Sequence, residues 1–434
     1  MTGAGVRSAD ASAFTRWLPI PGAVLSLTPF LFCISAFRKL FWFGDEWDQL
    51  REFHQSGAVH YVTATFAENF VPLYKVLWLS LLFAGRGSYL LMLAALWVTH
   101  ALNVLLLGII LRRVGLGPAG IGVALIWAGL PASNIETLGW SVQWSAVLAL
   151  TFFLLAVLQF LRFARAPDSD RASLALLAAA SLASSLSFSR GVLSGCALAF
   201  TCVAPVGLRP LPGSRRLLAG IASLLPSLLV GAIIALDAHG NHERLLQPAV
   251  MVKAAQFATH FFLLNPLQAL RHLEPRGSLL VLFGGIKIAI FALALVKARG
   301  TARWLVWLAL VLDVANALLV GIGRYHTGLA AAVGSRYQYV PLFCLAPAVA
   351  VIVDSIIGGI RVPRLARTAA AALAILLGWT VASPWRSQMR SWSGWRGTQV
   401  RLVLQASHDA TRVPYTAGVS TAEAAALGET YHLH

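Results

Sequence analysis

The sequence predicts an all-α membrane protein with about eleven transmembrane helices, and three observations support this class. Of its 434 residues, 58% are hydrophobic and 12% are charged, whereas about 25% of the residues in an average soluble protein are charged. Apolar runs of about 18 residues or more recur along the whole chain, and this is the length that a helix needs to cross a bilayer. The alternating pattern of a membrane β-barrel is absent, and backbone groups in lipid must be hydrogen-bonded internally, so the spans are helices.

The spans are recognised as consecutive apolar windows of about 20 residues. The first, 17–38, is interpreted as a signal anchor because its apolar run is longer than that of a signal peptide. Segment 249–267 contains Lys253, Gln256 and His260, and is therefore interpreted as an amphipathic or re-entrant helix and not as a span. The predicted spans are 17–38, 88–111, 118–137, 140–163, 172–188, 190–208, 216–236, 278–297, 302–322, 338–357 and 367–383.

The basic residues predict the orientation of these helices. If residues 1–16 are cytoplasmic, each turn that returns to the cytoplasm holds two or three basic residues, as the positive-inside rule requires. This distribution explains the net charge of +17 and indicates membrane lipids, not nucleic acid, as partners. Arg far outnumbers Lys and Ala is abundant, which is typical of a bacterial protein and predicts the inner (plasma) membrane, with the outer face towards the periplasm. The predicted parts are a cytoplasmic N-terminus (1–16), a transmembrane module (17–236) with an outer loop (39–87), a second outer loop (237–277), further transmembrane helices (278–383) and a short outer tail (384–434).

Most acidic residues are predicted on the outer face. In "GDEWD" (44–48), the carboxylates of Asp45, Glu46 and Asp48 follow the first span directly. Acidic residues do little to determine topology, so membrane insertion does not require this bias. The outer face is therefore predicted to carry the chemistry.

Two further segments equip the same face. The stripe Phe66, Phe70, Leu73, Leu77 and Leu81, at three- and four-residue spacings, predicts a helix lying on the membrane surface. Segment 323–341 adds several polar and aromatic side chains, namely Arg324, His326, Arg336, Tyr337 and Tyr339. A guanidinium binds phosphate oxygens bidentately, and a carboxylate accepts the proton of an attacking hydroxyl. Together these groups predict chemistry on a lipid phosphate.

The order of these elements resembles the GT-C superfamily of membrane glycosyltransferases. In its protein O-mannosyltransferases and its aminoarabinose transferases of lipid A, an outer loop with an acidic pair follows the first span, and surface helices and many spans come next. "GDEWD" (44–48) is similar to that pair, and "SRYQYVPLFCLAPAVAV" (335–351) resembles the Arg-Tyr-x-Tyr-x-Pro entry to a late span. "NFVPLYKVLW" (69–78) looks like first-loop sequence of bacterial members. The chain differs from the O-mannosyltransferases because no histidine follows the pair closely.

The resemblance implies an inverting transfer of a sugar from a polyprenyl monophosphate to a lipid-linked, glycan or protein acceptor. A single displacement at the anomeric carbon needs one base and positive charge beside the leaving phosphate. Asp45 is the expected base, while Glu46 or Asp48 orients the acceptor or, alternatively, holds a divalent cation such as Mg²⁺ or Mn²⁺. The candidates for the phosphate, in order of preference, are Arg336, Lys75, Arg324 and Arg271.

Each candidate also has a structural interpretation. The acidic residues are equally typical of a solvated turn that caps a helix beginning near Trp47. Arg190 either binds phosphate or pairs with Glu136, because a charge near the membrane needs a partner. The remaining candidates for substrate binding, which could equally be surface residues or interfacial anchors, are His54, His60, Tyr337 and Tyr339.

Two other classes of function are open at this point. A polysaccharide polymerase or O-antigen ligase also uses a polyprenyl donor at the outer face, and loop 237–277 suits the large late loop of such enzymes. A transporter or lipid flippase typically has charges inside its spans and broken helices. Here only Lys287 and Asp313 lie well inside a predicted span, which favours the transferase.

Overall fold

The structure, a computed structural model, shows a multi-pass α-helical membrane protein. It describes residues 17–66, 69–165, 170–204, 206–208, 212–237, 247–267, 277–358, 372, 375–380, 382–405 and 419–433. In these residues, the only β-pairing is an isolated bridge between Phe66 and Asn69. The same part of the chain holds 7 helices that are long and apolar enough to cross a membrane. The predicted all-α membrane class is confirmed, and the total of eleven spans stays a prediction.

The helices are numbered here in chain order. They are α1 (Pro19–Ser26), α2 (Thr28–Phe32), α3 (Ile34–Phe37), α4 (Asp45–Thr63), α5 (Pro72–Ala84), α6 (Tyr89–Arg113), α7 (Pro118–Gly129), α8 (Ile135–Leu138), α9 (Trp144–Arg165), α10 (Arg171–Ser187), α11 (Ser189–Val203), α12 (Gly213–Asp237), α13 (Pro248–Leu264), α14 (Gly277–Lys297), α15 (Gly300–Arg324), α16 (Tyr339–Gly358), α17 (Trp385–Gln405) and α18 (Thr421–Thr430). Short 3₁₀ turns lie at Ala132–Asn134, Ser141–Gln143, Tyr325–Thr327, Leu329–Val333 and Ser335–Tyr337.

The 7 long apolar helices coincide with predicted spans, and the remaining predicted spans differ in form. They are Tyr89–Arg113, Pro118–Leu138, Ser141–Arg165, Gly213–Asp237, Gly277–Lys297, Gly300–Thr327 and Tyr339–Ile357. The predicted first span is divided into α1, α2 and α3, because Pro29 has no N–H for the helical ladder and Cys33 leaves helical geometry. Helices α10 and α11, with 17 and 15 residues, are short for a perpendicular span. Of the predicted span 367–383, only residues 372, 375–380, 382 and 383 are among the described residues.

Helix α13 has 17 residues, and its interpretation as a non-spanning helix stays a prediction. It packs against α14 and α15. The carbonyls of Phe262, in its last turn, and of Asn265, the residue after its end, accept hydrogen bonds from Lys287 of α14, at 2.6 and 2.7 Å. Lys287 thus supplies donors to carbonyls that have no partner within their own helix.

The predicted loop 39–87 folds into α4 and α5, but the predicted surface stripe is wrong in detail. Phe66 and Phe70 precede α5 and are not part of it. The face that α5 buries is Tyr74, Trp78 and Leu82, together with Lys75 and Leu79. Tyr74 and Trp78 have partners in distant parts of the chain, such as Trp144 and Trp42, which local periodicity does not reveal.

Several helix ends meet at one end of the bundle, which we call the Asp45 end. It contains the start of α4, the short α8, and the 3₁₀ turn Ser335–Tyr337 that packs against α8. The Ser335 hydroxyl donates to the carbonyl of Ser133 (2.7 Å), and the indole of Trp140 donates to the carbonyl of Phe43 (3.2 Å). These bonds bring segments that are distant in sequence next to the acidic turn.

The predicted short tail 384–434 is not a free extension. Its helix α17 packs against α3 and α8, and α18 packs against α4. Trp385 donates to the carbonyl of Leu130 (2.7 Å), and the Tyr431 hydroxyl lies 3.2 Å from Nδ1 of His54. The tail therefore covers the Asp45 end.

Candidate active site

The acidic turn begins a helix, and this separates its two adjacent carboxylates. Gly44 precedes α4 with φ 58° and ψ −128°, a conformation that L side chains rarely adopt. Asp45 and Glu46 are the first two residues of the helix, so their side chains leave its axis about 100° apart. One carboxylate consequently points into the protein, and the other remains half-buried at the surface.

Glu46 is completely buried, and both of its oxygens are occupied. Oε1 accepts hydrogen bonds from the Tyr89 hydroxyl (3.1 Å) and from the N–H of Ser141 (3.1 Å), and the Ser141 hydroxyl also donates to it. Oε2 accepts from the N–H of Phe43 (2.7 Å). Glu46 thus ties the acidic turn to the loop before α9. The prediction that it orients the acceptor is wrong, because it has no exposed oxygen.

Burial raises the pKa of Glu46 to about 7, against the opposing effects of Arg396 and of its hydrogen-bond donors. The guanidinium of Arg396 compensates the charge of Glu46, and it donates to the same Tyr89 hydroxyl (3.1 Å) that donates to Glu46. A carboxylate in such a place stabilises structure only while its charge is compensated.

Asp45 is the carboxylate that remains available to a substrate. It is half-buried, and burial raises the pKa of its carboxyl group, which the neighbouring Asp48 raises further. Arg324 and Arg336 oppose this increase, so both guanidinium groups lie within electrostatic range of Asp45. The structure therefore brings together the predicted base and two of the predicted phosphate ligands.

Glu136 holds Arg336 in place through an ion pair and a backbone hydrogen bond. Its guanidinium lies 3.7 Å from Oε1 of Glu136, and its backbone N–H donates to Oε2 of the same residue (3.2 Å). The guanidinium also lies 5.2 Å from the centre of the Tyr337 ring. With 38% of its side chain exposed, Arg336 retains N–H groups that can reach a ligand.

A third arginine, Arg190 at the start of α11, joins this group. It lies within electrostatic range of Arg324 and Arg336, and its guanidinium is 5.8 Å from the Tyr337 ring. Its Nη1 is buried and has no hydrogen-bond partner among the described residues. The ion pair that the sequence offered as an alternative, with Glu136, is instead made by Arg336.

A cavity opens beside Arg190. It is small, with a volume of about 10 Å³, which is room for about one water molecule, and its walls are mainly apolar side chains of α9, α11, α15 and α16. Asn316 also faces it, and its amide group has no partner among the described residues. The cavity thus combines an apolar wall with an arginine at one side.

Two predicted substrate ligands are buried structural residues. Lys75 is completely buried, and its ammonium donates to the carbonyls of Tyr61 (2.7 Å) and Ala64 (2.9 Å). It also lies 3.4 Å from a carboxylate oxygen of Glu52. The prediction that Lys75 binds phosphate is wrong, because its three protons are directed to these groups.

Tyr339 is the second of these. Its hydroxyl is 2.9 Å from Nδ1 of His100 and accepts a hydrogen bond from the amide of Asn103 (3.0 Å), both in the middle of α6. Only 1% of the residue is exposed. The prediction that Tyr339 contacts substrate is therefore wrong, whereas Tyr337 does stand between Arg190 and Arg336.

The remaining candidates lie further from the cluster or outside the description. Asp48 forms a half-exposed ion pair with Arg51 (2.8 Å), which is typical of a solvated helix start. His54 contacts Tyr431 on the side of α4 that faces the tail, and His60 is exposed in the last turn of that helix. Neither His54 nor His60 has a described contact with Asp45 or the site arginines, so their role as substrate ligands stays a prediction. Arg271 lies outside the described residues.

The acidic residues do not fit a divalent cation. Glu46 is saturated by donors, and Asp48 is paired with Arg51. Within the described ranges, no group of three or more His, Cys, Asp or Glu side chains could hold a metal ion. We therefore derive no chemical step through a metal.

Sequence reasoning missed the residues that anchor the acidic turn. Arg396 of α17 is 1% exposed and sits directly behind Glu46 and Tyr89. A signal was present, because Trp385, Met389, Trp392 and Arg396 recur at three- and four-residue spacings in an otherwise polar segment. That pattern indicates a helix with one packed face.

Comparison with solved structures identifies the fold. No protein-family model matches the sequence, and no curated protein matches it. The apo crystal structure of an oligosaccharyltransferase from Archaeoglobus fulgidus matches 92% of this chain and 58% of its own, at 14% identity and a TM-score of 0.50. A structure of the oligosaccharyltransferase AglB from Archaeoglobus fulgidus, with an inhibitory peptide and a dolichol-phosphate, matches the same shares at 13% identity and a TM-score of 0.49.

The present chain thus spans less than two thirds of the archaeal enzyme. At this identity the likeness shows the fold alone, so the chain shares the fold of the archaeal oligosaccharyltransferase.

Proposed function

We propose that this protein is an inverting glycosyltransferase that moves a sugar from a polyprenyl monophosphate to a lipid-linked, glycan or protein acceptor. The observation that carries the proposal is the position of one available carboxylate, Asp45, within electrostatic range of Arg324 and Arg336. The fold shared with an archaeal oligosaccharyltransferase supports the class of reaction. The distribution of basic residues supports an inner membrane location with this site facing the periplasm.

Asp45 supplies the base. The acceptor hydroxyl gives its proton to the Asp45 carboxylate while its oxygen forms a bond to the anomeric carbon of the donor sugar. The bond from that carbon to the phosphate oxygen breaks, and the polyprenyl phosphate leaves with the electron pair. Because the acceptor attacks opposite the leaving group in a single displacement, the anomeric configuration inverts.

The arginines supply the positive charge that the leaving phosphate needs. Arg336 retains exposed N–H groups, Arg324 is exposed, and Arg190 has an unpartnered buried Nη1. Preorganised donors of this kind stabilise charge that develops in the transition state. The phosphate is already a good leaving group, so the reaction needs no protein acid to protonate it.

The lining of the cavity beside Arg190 supports a lipid donor. An apolar wall next to a guanidinium matches the junction between an isoprenoid chain and its phosphate, and the cavity must widen to admit that chain. A soluble nucleotide donor would gain nothing from an apolar wall.

Binding of undecaprenyl phosphate to the purified protein tests the phosphate site. We expect the wild type to bind this lipid at least about tenfold more tightly than uncharged undecaprenol, because charge-assisted bonds to the phosphate are lost in the alcohol. Arg336→Gln should lose most of this preference, whereas Arg390→Gln, an exposed residue of α17, should keep it. Native mass spectrometry in detergent measures all three. Equal binding of the phosphate and the alcohol by the wild type would contradict the proposal.

A further inference from the structure

Arg396 is a buried arginine for which the proposed chemistry has no direct use. It lies on α17, and only 1% of it is exposed. Its Nη1 donates to the carbonyl of Gly139 (2.9 Å). Its Nη2 donates to the carbonyl of Phe41 and to the Tyr89 hydroxyl, the latter at 3.1 Å. One guanidinium thus joins three segments that surround the acidic turn.

Aromatic rings enclose the same guanidinium. The ring centres of Phe43, Tyr89 and Trp392 lie 4.7, 5.3 and 5.7 Å from its central carbon. Burying a charge in such surroundings is costly unless it is paired and hydrogen-bonded. The compensating anion is Glu46, which is also completely buried.

The Tyr89 hydroxyl links the two charges. It accepts from Arg396 and donates to Oε1 of Glu46, in both cases at 3.1 Å. Oε2 of Glu46 in turn accepts from the N–H of Phe43 (2.7 Å). Arg396 therefore holds the acidic turn at Phe41 directly and at Phe43 through Tyr89 and Glu46.

Asp45 lies within this turn, between a fixed Phe43 and a fixed Glu46. Gly44, which precedes Asp45, has φ 58°, a backbone conformation that residues other than glycine rarely adopt. Bonds on both sides of Asp45 restrict its backbone. By contrast, the arginines of the site come from α11, α15 and the turn before α16, which do not carry these bonds.

We propose that Arg396 is a positioning residue for Asp45, through which helix α17 holds the acidic turn, and with it the Asp45 carboxylate, in place. The proposal rests on the proposed function for the role of Asp45 as a base. It assigns α17 a part in catalysis, because the segment that carries Asp45 is hydrogen-bonded to this helix.

A simple anchoring role for the tail predicts a different result. An anchor would affect the docking of α17 and the thermal stability, but not the rate of the chemical step. A positioning residue alters the turnover of bound donor and leaves the arginine cluster able to bind it. Local order at the acidic turn and the division between turnover and binding therefore separate the two roles.

Hydrogen exchange of the full-length protein tests the structural part of the proposal. We expect Arg396→Gln to raise the exchange rate of peptides covering 39–50 by roughly tenfold or more, because the buried Glu46 loses its compensating charge. Peptides covering 325–338 should keep their protection. Arg390→Gln on the exposed side of the same helix should behave as the wild type. Unchanged exchange at 39–50 in Arg396→Gln would overturn the proposal.

If Arg396→Gln raises exchange throughout the protein, Tyr89→Phe decides. This variant retains both charges and removes only the hydroxyl that links them. A local increase at 39–50 supports the proposal, and unchanged exchange there contradicts it. Arg396→Lys, which keeps the charge but not the planar fork, should give an intermediate rate.

Kinetics test the functional part, with undecaprenyl-phosphate-linked radioactive sugars as donors. We expect Arg396→Lys to lower kcat by roughly tenfold while binding of undecaprenyl phosphate stays within about twofold of the wild type. Weaker donor binding with unchanged kcat would overturn the positioning role. Failure of the proposed function has a separate signature, since the wild type would then neither prefer undecaprenyl phosphate nor transfer a sugar, whatever the exchange data show.

Discussion

Glu136 holds Arg336 by two different groups, so that one carboxylate fixes both the backbone and the side chain of the arginine. Oε2 accepts a hydrogen bond from the Arg336 N–H (3.2 Å), and Oε1 lies 3.7 Å from its guanidinium. The N–H of Glu136 donates to the Ser335 hydroxyl (3.1 Å), which closes a connection between α8 and the turn before α16. Arg336 thereby stays within electrostatic range of Asp45 while its ion pair is with Glu136.

Glu136→Gln should weaken donor binding by a small factor. The pair is partly exposed, with 38% of the Arg336 side chain and 28% of the Glu136 side chain accessible, so solvent screens it. We expect an increase of about two- to fivefold in the KM for the lipid donor, with kcat little changed. Arg336→Gln should have a larger effect on the same parameter. A greater loss in Glu136→Gln than in Arg336→Gln would show that Glu136 contacts the substrate itself.

The pH dependence of transfer should identify Asp45 as the base. Burial and Asp48 raise the pKa of Asp45, while Arg324 and Arg336 act in the opposite direction. The acid limb of kcat/KM should therefore move to lower pH in Asp48→Asn and to higher pH in Arg324→Gln. Profiles of kcat/KM between about pH 4 and pH 8 measure both shifts. Shifts in the same direction in both variants would exclude Asp45 as the titrating group.

Stability should depend on pH through Glu46. Burial raises its pKa from 4.5 to about 7, so the folded protein binds this proton more tightly than the unfolded chain does. The stabilisation is complete below about pH 4.5 and is lost as the pH rises through about 7. Relative to Glu46→Gln, which does not titrate, the wild type should lose about 2–3 kcal/mol between pH 5 and pH 8.

Thermal unfolding in detergent at several pH values measures this difference. A wild type that gains stability relative to Glu46→Gln as the pH rises would contradict the assignment, because it would mean that the folded state favours the carboxylate. A constant difference would show that Glu46 does not titrate in this range.

The ion pair between Lys287 and Asp313 should be structural and not part of a transport path. Nζ of Lys287 lies 2.5 Å from Oδ2 of Asp313, and neither side chain is exposed. Removing one partner leaves the other charge buried, so Asp313→Asn and Lys287→Met should each cost about 3–5 kcal/mol. The double variant Lys287→Met/Asp313→Leu should recover part of this loss, because it leaves no unpaired charge but still removes the donor to the carbonyls of Phe262 and Asn265, and it should retain transferase activity.

The thermal midpoints of the three variants and their transfer rates check this expectation. A stable double variant that no longer transfers sugar would indicate that the ion pair takes part in function, as the flippase interpretation requires. Recovery of both properties would remove the main feature that favours a transporter.

The sequence was sufficient to predict the all-α membrane class and to select the helix ends that form the candidate site. Hydropathy alone predicted the 7 long apolar helices, because the membrane imposes a length and a composition that local sequence carries. The acidic turn after the first span and the Arg336 segment before a late span both lie at helix ends. Their meeting could be predicted because alternate ends of consecutive spans share one face.

The division of roles within the site could not be predicted in the same way. Asp45 and Glu46 are adjacent and chemically alike. Only Glu46 is fully buried, because Tyr89 and Ser141, from distant parts of the chain, donate hydrogen bonds to it. Lys75 has the charge of a phosphate ligand, but its ammonium group donates to the carbonyls of Tyr61 and Ala64. Such assignments depend on tertiary contacts, which local patterns do not contain.

Sugar transfer by Asp45→Asn tests the central claim most directly. The variant keeps the size of the side chain and removes its capacity to accept a proton, so transfer from undecaprenyl-phosphate-linked radioactive sugars should fall by about 10²–10⁴-fold. Binding of undecaprenyl phosphate should be retained, and Glu429→Gln, an exposed carboxylate on α18, should transfer at the wild-type rate. Full transfer by Asp45→Asn would contradict the account.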